Sequence, residues 1–188
     1  MRSRCKVVII GGSAGSLQVL IKILPQIKLP IPFVIVIVVH RKNSYDTVLE
    51  DLIAFKTVIP IHYVEDKTEL HPGIIYVAPA DYHMLFEDKK IISLDASEKV
   101  HYSRPSIDVS FESAAHVFKH ELVGILLSGA NTDGTFGLQS IQKNGGITIV
   151  QKPDTAEMPF MPEFAVLNAN PDFIFDEEEI VGFLNSNL

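Results

Sequence analysis

The stretch Val7-Val8-Ile9-Ile10-Gly11-Gly12-Ser13-Ala14-Gly15 runs through Ser16 into Leu17-Gln18-Val19-Leu20-Ile21-Lys22-Ile23-Leu24. An unbroken β-branched run reads as a strand covered on both faces, and the apolar spacing after Ser16 reads as an amphipathic helix. A second such run, Phe33 to Val39, begins once Pro25 or Pro30 has ended that helix. Strand, helix and strand in this order make a βαβ unit with a right-handed crossover. Ser13 stands in a G-x-S-x-G frame at the strand-to-helix turn. Small neighbours there tolerate a tight bend that lifts the hydroxyl above the sheet edge, as in a nucleophile elbow.

Outward from this unit, Asn43-Ser44 reads as a helix cap, with Asp46 in the first turn and Val48, Leu49, Leu52 and Ile53 as the apolar stripe. Val58 to Val64 reads as a strand that Pro60 pushes toward an edge. Ile74–Ala78, Met84–Phe86 and Ile91–Leu94 read as short strands, the last two forming a β-hairpin across Glu87-Asp88-Lys89-Lys90. Ala96–Ser106 reads as a polar surface loop and Ile107 to Lys119 as a helix. Leu122–Leu127 reads as a buried strand, Gly134 to Asn144 as a helix, Ile147–Val150 as a strand, and Phe173–Phe175 with Asp176–Leu184 as a closing strand and helix. No internal repeat or linker stands out. The expected fold is an α/β three-layer sandwich around a mainly parallel, doubly wound sheet with an inserted antiparallel β-hairpin, one domain over residues 1–188.

Composition narrows the classes. The 188 residues are 47% hydrophobic and 21% charged, as in a soluble globular protein. A formal charge of −7 and the absence of a long Lys/Arg run leave no electrostatic footprint for nucleic acid. The longest apolar stretch, Ile31 to Val39, contains Pro32 and falls short of the roughly 20 residues of a membrane-spanning helix. The single cysteine, Cys5, excludes a disulfide framework and a thiolate metal site. Lacking a signal-peptide layout, the chain is expected to be cytoplasmic.

In open parallel sheets, ligands gather beyond the carboxyl ends of the strands. Three strand ends here carry reactive groups: Ser13, then His40 directly after Val34–Val39, then Asp133 in Ser128-Gly129-Ala130-Asn131-Thr132-Asp133-Gly134. On one rim they would supply a hydroxyl, a base and a carboxylate to hold the base. Each also has an ordinary reading. Ser13 can cap a helix, its glycines can cradle a phosphate in a nucleotide-binding module, His40 can be a satisfied buried histidine, and Asp133 can be a turn residue. The glycine spacing departs from G-x-G-x-x-G and no Walker lysine follows, which weakens the nucleotide reading. His116 and His120 share helical i, i+4 spacing, but no third ligand is evident, so no metal and no cofactor is expected.

Taken together these segments resemble the catalytic domain of the chemotaxis receptor methylesterases (CheB type). The resemblance rests on Ile10–Gly15, on Val39-His40, on Leu70–Met84, on Arg104-Pro105-Ser106-Ile107-Asp108-Val109-Ser110-Phe111, on Ser128–Gly134, and on Met161-Pro162. It implies Ser13 as nucleophile, His40 as general base and acid, and Asp133 as the orienting carboxylate. It also implies backbone oxyanion donors at Ala14 and Ala130 and substrate contacts at Arg104 and Met161, with an ion pair to Asp108 as the structural alternative for Arg104. The implied reaction is hydrolysis of glutamyl γ-methyl esters on chemoreceptor cytoplasmic helices, with glutamine deamidation beside it. A separate response regulator or kinase is the implied regulatory partner, because Ser13 lies too near Met1 for a preceding receiver domain. An esterase for another protein or a small ester, and a non-catalytic signalling module, are the competing readings. Ala14-Gly15-Ser16, Arg41-Lys42, Ala130 and Thr132 depart from the family's common residues.

Overall fold

In the computed structural model, residues 5–40 and 48–186 are described. Strand β1 (Val7–Gly12) lies at the centre of a parallel sheet, between β2 (Val34–Val39) on one side and β8 (Leu122–Leu126) on the other. Beyond β2 come β5 (Ile75–Val77) and the edge strand β3 (Ile61–Tyr63). Beyond β8 come β9 (Ile147–Gln151) and the other edge, β10 (Phe173–Phe175). From β1 the chain winds toward β2, whereas from β8 it winds the opposite way. The crevice between β1 and β8 is therefore a topological switch point, where α/β sheets bind ligands.

The continuous apolar runs follow from burial on both faces. Every residue of β1, β2 and β8 is buried. Val7, Ile9, Val36, Val38 and Leu126 pack on α3 (Ile107–Phe118), α4 (Thr135–Lys143) and α5 (Phe160–Ala169). Val8, Ile10, Ile35, Ile37 and Ile125 face α1 (Ser16–Ile23), α2 (Val48–Lys56) and α6 (Glu177–Asn185). Strand alternation sends neighbouring side chains to opposite layers, so a strand with helices on both sides has no polar face. The three-layer, doubly wound reading stands.

Differences lie mainly outside this centre. The hairpin is β6 (His83–Phe86) with β7 (Ile91–Asp95), and it gains a third antiparallel strand, β4 (Thr68–Glu69), too short to leave a pattern. Pro60 stands just outside β3, which is shorter than expected because the proline lacks the N–H a ladder needs. Helix α5 was not expected at all. Its apolar residues surround the axis, with Phe160 and Leu167 exposed and Met161 and Ala165 buried, so no single stripe marks it. The expected cap at Asn43-Ser44 and first-turn Asp46 lie outside the described residues, as do Arg41-Lys42.

Two glycines set the turns that leave the central strands. Gly15 (φ +82°) and Gly134 (φ +95°) adopt left-handed backbone at the starts of α1 and α4. A Cβ on Gly134 would also lie 2.6 Å from Leu126 Cδ1 and 2.9 Å from Ile107 Cγ2. Backbone strain and overlap therefore act together at Gly134. Gly134→Ala is expected to cost about 2 kcal/mol of unfolding free energy. Urea unfolding measures this; stability equal to wild type would show that the turn tolerates a side chain.

Candidate active site

The site begins with strand register. Gly12 pairs with Val39, and the His40 N–H donates to the Gly12 carbonyl at 3.1 Å, so Ser13 and His40 leave the sheet side by side. On the opposite side the Ser13 N–H donates to the Ser128 carbonyl at 2.9 Å. Three strand ends thus meet around the serine turn. Helix α1 has Gly15 as its N-cap with no side-chain cap, so the Ser13 hydroxyl is not spent on capping. That hydroxyl takes no hydrogen-bond partner among the described residues.

Ser128 ties the surrounding loops together. Its hydroxyl donates to the Ala14 carbonyl at 2.8 Å and accepts the Met158 N–H at 2.9 Å, while its own N–H donates to the buried Gln151 Oε1 at 2.9 Å. The serine turn, the loop after β8 and the segment before α5 are thereby fixed to one another through a single side chain.

Asp133 is wholly buried and accepts from five groups. Its Oδ1 takes the Asp108 N–H at 2.9 Å, the Gly134 N–H at 3.1 Å and the Ser106 hydroxyl at 3.1 Å. Its Oδ2 takes the Ile107 N–H and His40 Nε2, each at 2.7 Å. The carboxylate therefore sits on the N-terminus of α3, where unpaired N–H groups and the helix dipole favour an anion. Burial alone would raise its pKa. The His40 bond, the Asp108 and Ile107 N–H groups and the His40 charge together hold it below the ordinary aspartate range.

With Nε2–H donated to Asp133, His40 Nδ1 keeps its lone pair. The Asn131 side-chain amide approaches Nδ1 at 3.3 Å, oriented by its Oδ1, which accepts the Asp133 N–H at 3.1 Å. Asn131 is a contact that sequence reading passed over, and nothing in its spacing marks it. Ser106 enters the sequence reading only within a motif, and Asp108 there and as an ion-pair alternative for Arg104. A serine before an apolar helix is nonetheless a cap pattern, and the Ser106 hydroxyl does accept the Val109 N–H at 3.4 Å.

Residues 8–184 match the CheB methylesterase family. The chain belongs to that family. A Leptospira interrogans relative named as a putative protein-glutamate methylesterase/protein-glutamine glutaminase is 40% identical over 177 residues, covering 92% of this chain and 90% of its own length. A Thermotoga maritima protein-glutamate methylesterase/protein-glutamine glutaminase is 28% identical, over 93% of this chain and 52% of its own length. The crystal structure of the Thermotoga maritima CheB methylesterase catalytic domain superposes with a TM-score of 0.92 at 27% identity, covering 99% of this chain and all of that one.

Other residues implied by the family resemblance fall in different places. Ala14 and Ala130 are exposed, and among the described residues neither N–H is taken by an internal acceptor. Arg104 does not reach outward. Its Nε and Nη2 bond Asp81 at 3.2 and 2.8 Å, and its Nη1 donates to the Ala96 and Ser97 carbonyls at 2.7 and 2.6 Å. These bonds form an internal clamp whose carboxylate is Asp81 in place of Asp108. Met161 is buried, packed where a Gly129 side chain would stand, and so supports the loop from beneath. Among the described residues no cluster of His, Cys, Asp and Glu could hold a metal ion, and no helix is long and apolar enough to cross a membrane.

Because the Asp133 carboxyl is held below its unfolded value, its ionised form adds stability above the ordinary aspartate range, and that contribution is lost as pH falls through the folded value. Asp133→Asn, which cannot accept at both atoms, is expected to lose about 3 kcal/mol near neutral pH. Melting temperatures of wild type and variant should stay apart above the ordinary aspartate range and converge as pH falls below it. A gap that stays constant as pH falls well below that range would rule out the carboxylate charge as the source.

Proposed function

We propose that this chain is a protein-glutamate methylesterase that also deamidates glutamine, acting in the cytoplasm on methylated chemoreceptor helices. The observation that carries the reading is the 2.7 Å His40–Asp133 pair at a strand end next to the Ser13 turn. Membership of the CheB methylesterase family and the names of the relatives support it.

In this reading Ser13 Oγ attacks the γ-carbonyl of a glutamyl methyl ester, and His40 Nδ1 takes its proton. Nδ1 is the base because Nε2–H is already committed to Asp133, which holds the tautomer and stabilises the imidazolium without itself taking the proton. The Asn131 amide must yield Nδ1 for this step. Ala14 and Ala130 N–H groups receive the oxyanion, each such donor being worth about 3 kcal/mol of barrier. Collapse breaks the C–O bond, and methanol leaves with the proton from Nδ1. Water, deprotonated by the same nitrogen, then cleaves the acyl-enzyme and frees the glutamate carboxylate. A glutamine side chain follows the same course with ammonia as leaving group.

Incubation with methyl-labelled chemoreceptor membranes tests this directly. Ser13→Ala is expected to lower methanol release by at least roughly a thousandfold, and Asp133→Asn to lower kcat by two to four orders of magnitude, on the order of other triad carboxylate losses. Wild-type methanol release by Ser13→Ala would remove Ser13 as nucleophile.

A further inference from the structure

We infer that Asp108 is a positioning residue for the proposed Ser13–His40–Asp133 machinery: a buried carboxylic acid that shares its proton with Asp133 and keeps the carboxylate pair at one negative charge. The inference rests on the function proposed above. Asp108 is only 8% exposed, in the first turn of α3. Its Oδ1 accepts the Gly137 N–H at 2.7 Å, and its Oδ2 is buried with no donor among the described residues. An ionised carboxylate left in that state would be costly.

A proton on Oδ2 resolves the deficit, because it turns an orphaned acceptor into a donor. The neighbouring carboxyl is Asp133, whose Oδ1 accepts the Asp108 main-chain N–H at 2.9 Å and whose negative charge disfavours ionisation of Asp108. Asp133 can accept this donor as the charged member of the pair, being stabilised by three main-chain N–H groups, the Ser106 hydroxyl and His40.

The surrounding charges favour the same assignment. The β8–α4 loop contributes Asp133, whose Oδ2 is bonded to His40 just after β2, and the first turn of α4 contributes the Gly137 N–H. On α3 itself Glu112 is exposed one turn further on. Ahead of α3, Arg104 is bound to Asp81, and His83 lies between the Ser106 N–H and the Glu98 carbonyl. Among the described residues no cation bonds Asp108. Burial and the Asp133 charge together push its carboxyl up to about 7.

The consequence for catalysis is electrostatic. While Asp108 is neutral, one negative charge lies beneath the His40 ring. Once it ionises, two negative charges do, and the imidazolium proton is held more tightly, which withdraws the general base. Asp108→Asn keeps a neutral hydrogen-bonding group of the same shape, so the acid limb of its kcat/KM profile should lie at lower pH than in wild type, by at least about half a unit.

Carbon-13 NMR of the Asp108 carboxyl in the folded Ser13→Ala protein provides the companion measurement, independent of catalysis and of how Asp108 variants fold. A titration midpoint above about 5.5, lowered by adding Asp133→Asn, is expected. A midpoint at or below that value, or one indifferent to Asp133→Asn, overturns the shared proton. An acid limb unmoved by Asp108→Asn overturns the positioning role. Methanol release that survives Ser13→Ala would instead sink the proposed function, leaving the carboxyl titration to be judged on its own.

Discussion

A single carboxylate seated on the start of a helix organises the rim of this sheet. Asp133 arrives from the loop after β8, accepts main-chain N–H groups at the head of α3, and reaches across to the ring at the end of β2. Three separately encoded segments are thus joined at two oxygen atoms. The wholly buried anion is tolerable because five donors and a helix dipole replace the water it has lost. Loosening any one segment would leave donors or acceptors unpaired on the other two.

The sheet makes that meeting possible. With β1 between β2 and β8, the serine turn has the imidazole on one flank and the carboxylate loop on the other. Ser128 then locks the serine turn to the loop after β8 and to the segment before α5. The geometry around Ser13 is a property of parallel register and left-handed glycine turns at Gly15 and Gly134, with little left to loose surface loops.

How much of this could be read from the residues depends on the range of each interaction. The central strands were legible because burial on both faces writes an unbroken aliphatic run. Ser13, His40 and Asp133 were legible as candidates because each ends such a run or follows it closely. Helix α5 was not, since exposed Phe160 and Leu167 blur any stripe. The partner of Arg104 was misjudged because local spacing suggests Asp108, whereas the chain folds back to offer Asp81. The Asn131–His40 contact, the third strand of the small sheet and the apposition of Asp108 to Asp133 arise only from tertiary packing. No periodicity records them.

The donors that anchor Asp133 are mostly peptide groups, at Ile107, Asp108 and Gly134. A peptide N–H persists through almost any exchange of the side chain it carries, proline excepted. Residues near this anchor can therefore drift over evolutionary time, retuning what enters the cleft, while the aspartate keeps its footing. An engineer who wished to reshape the rim would inherit the same latitude.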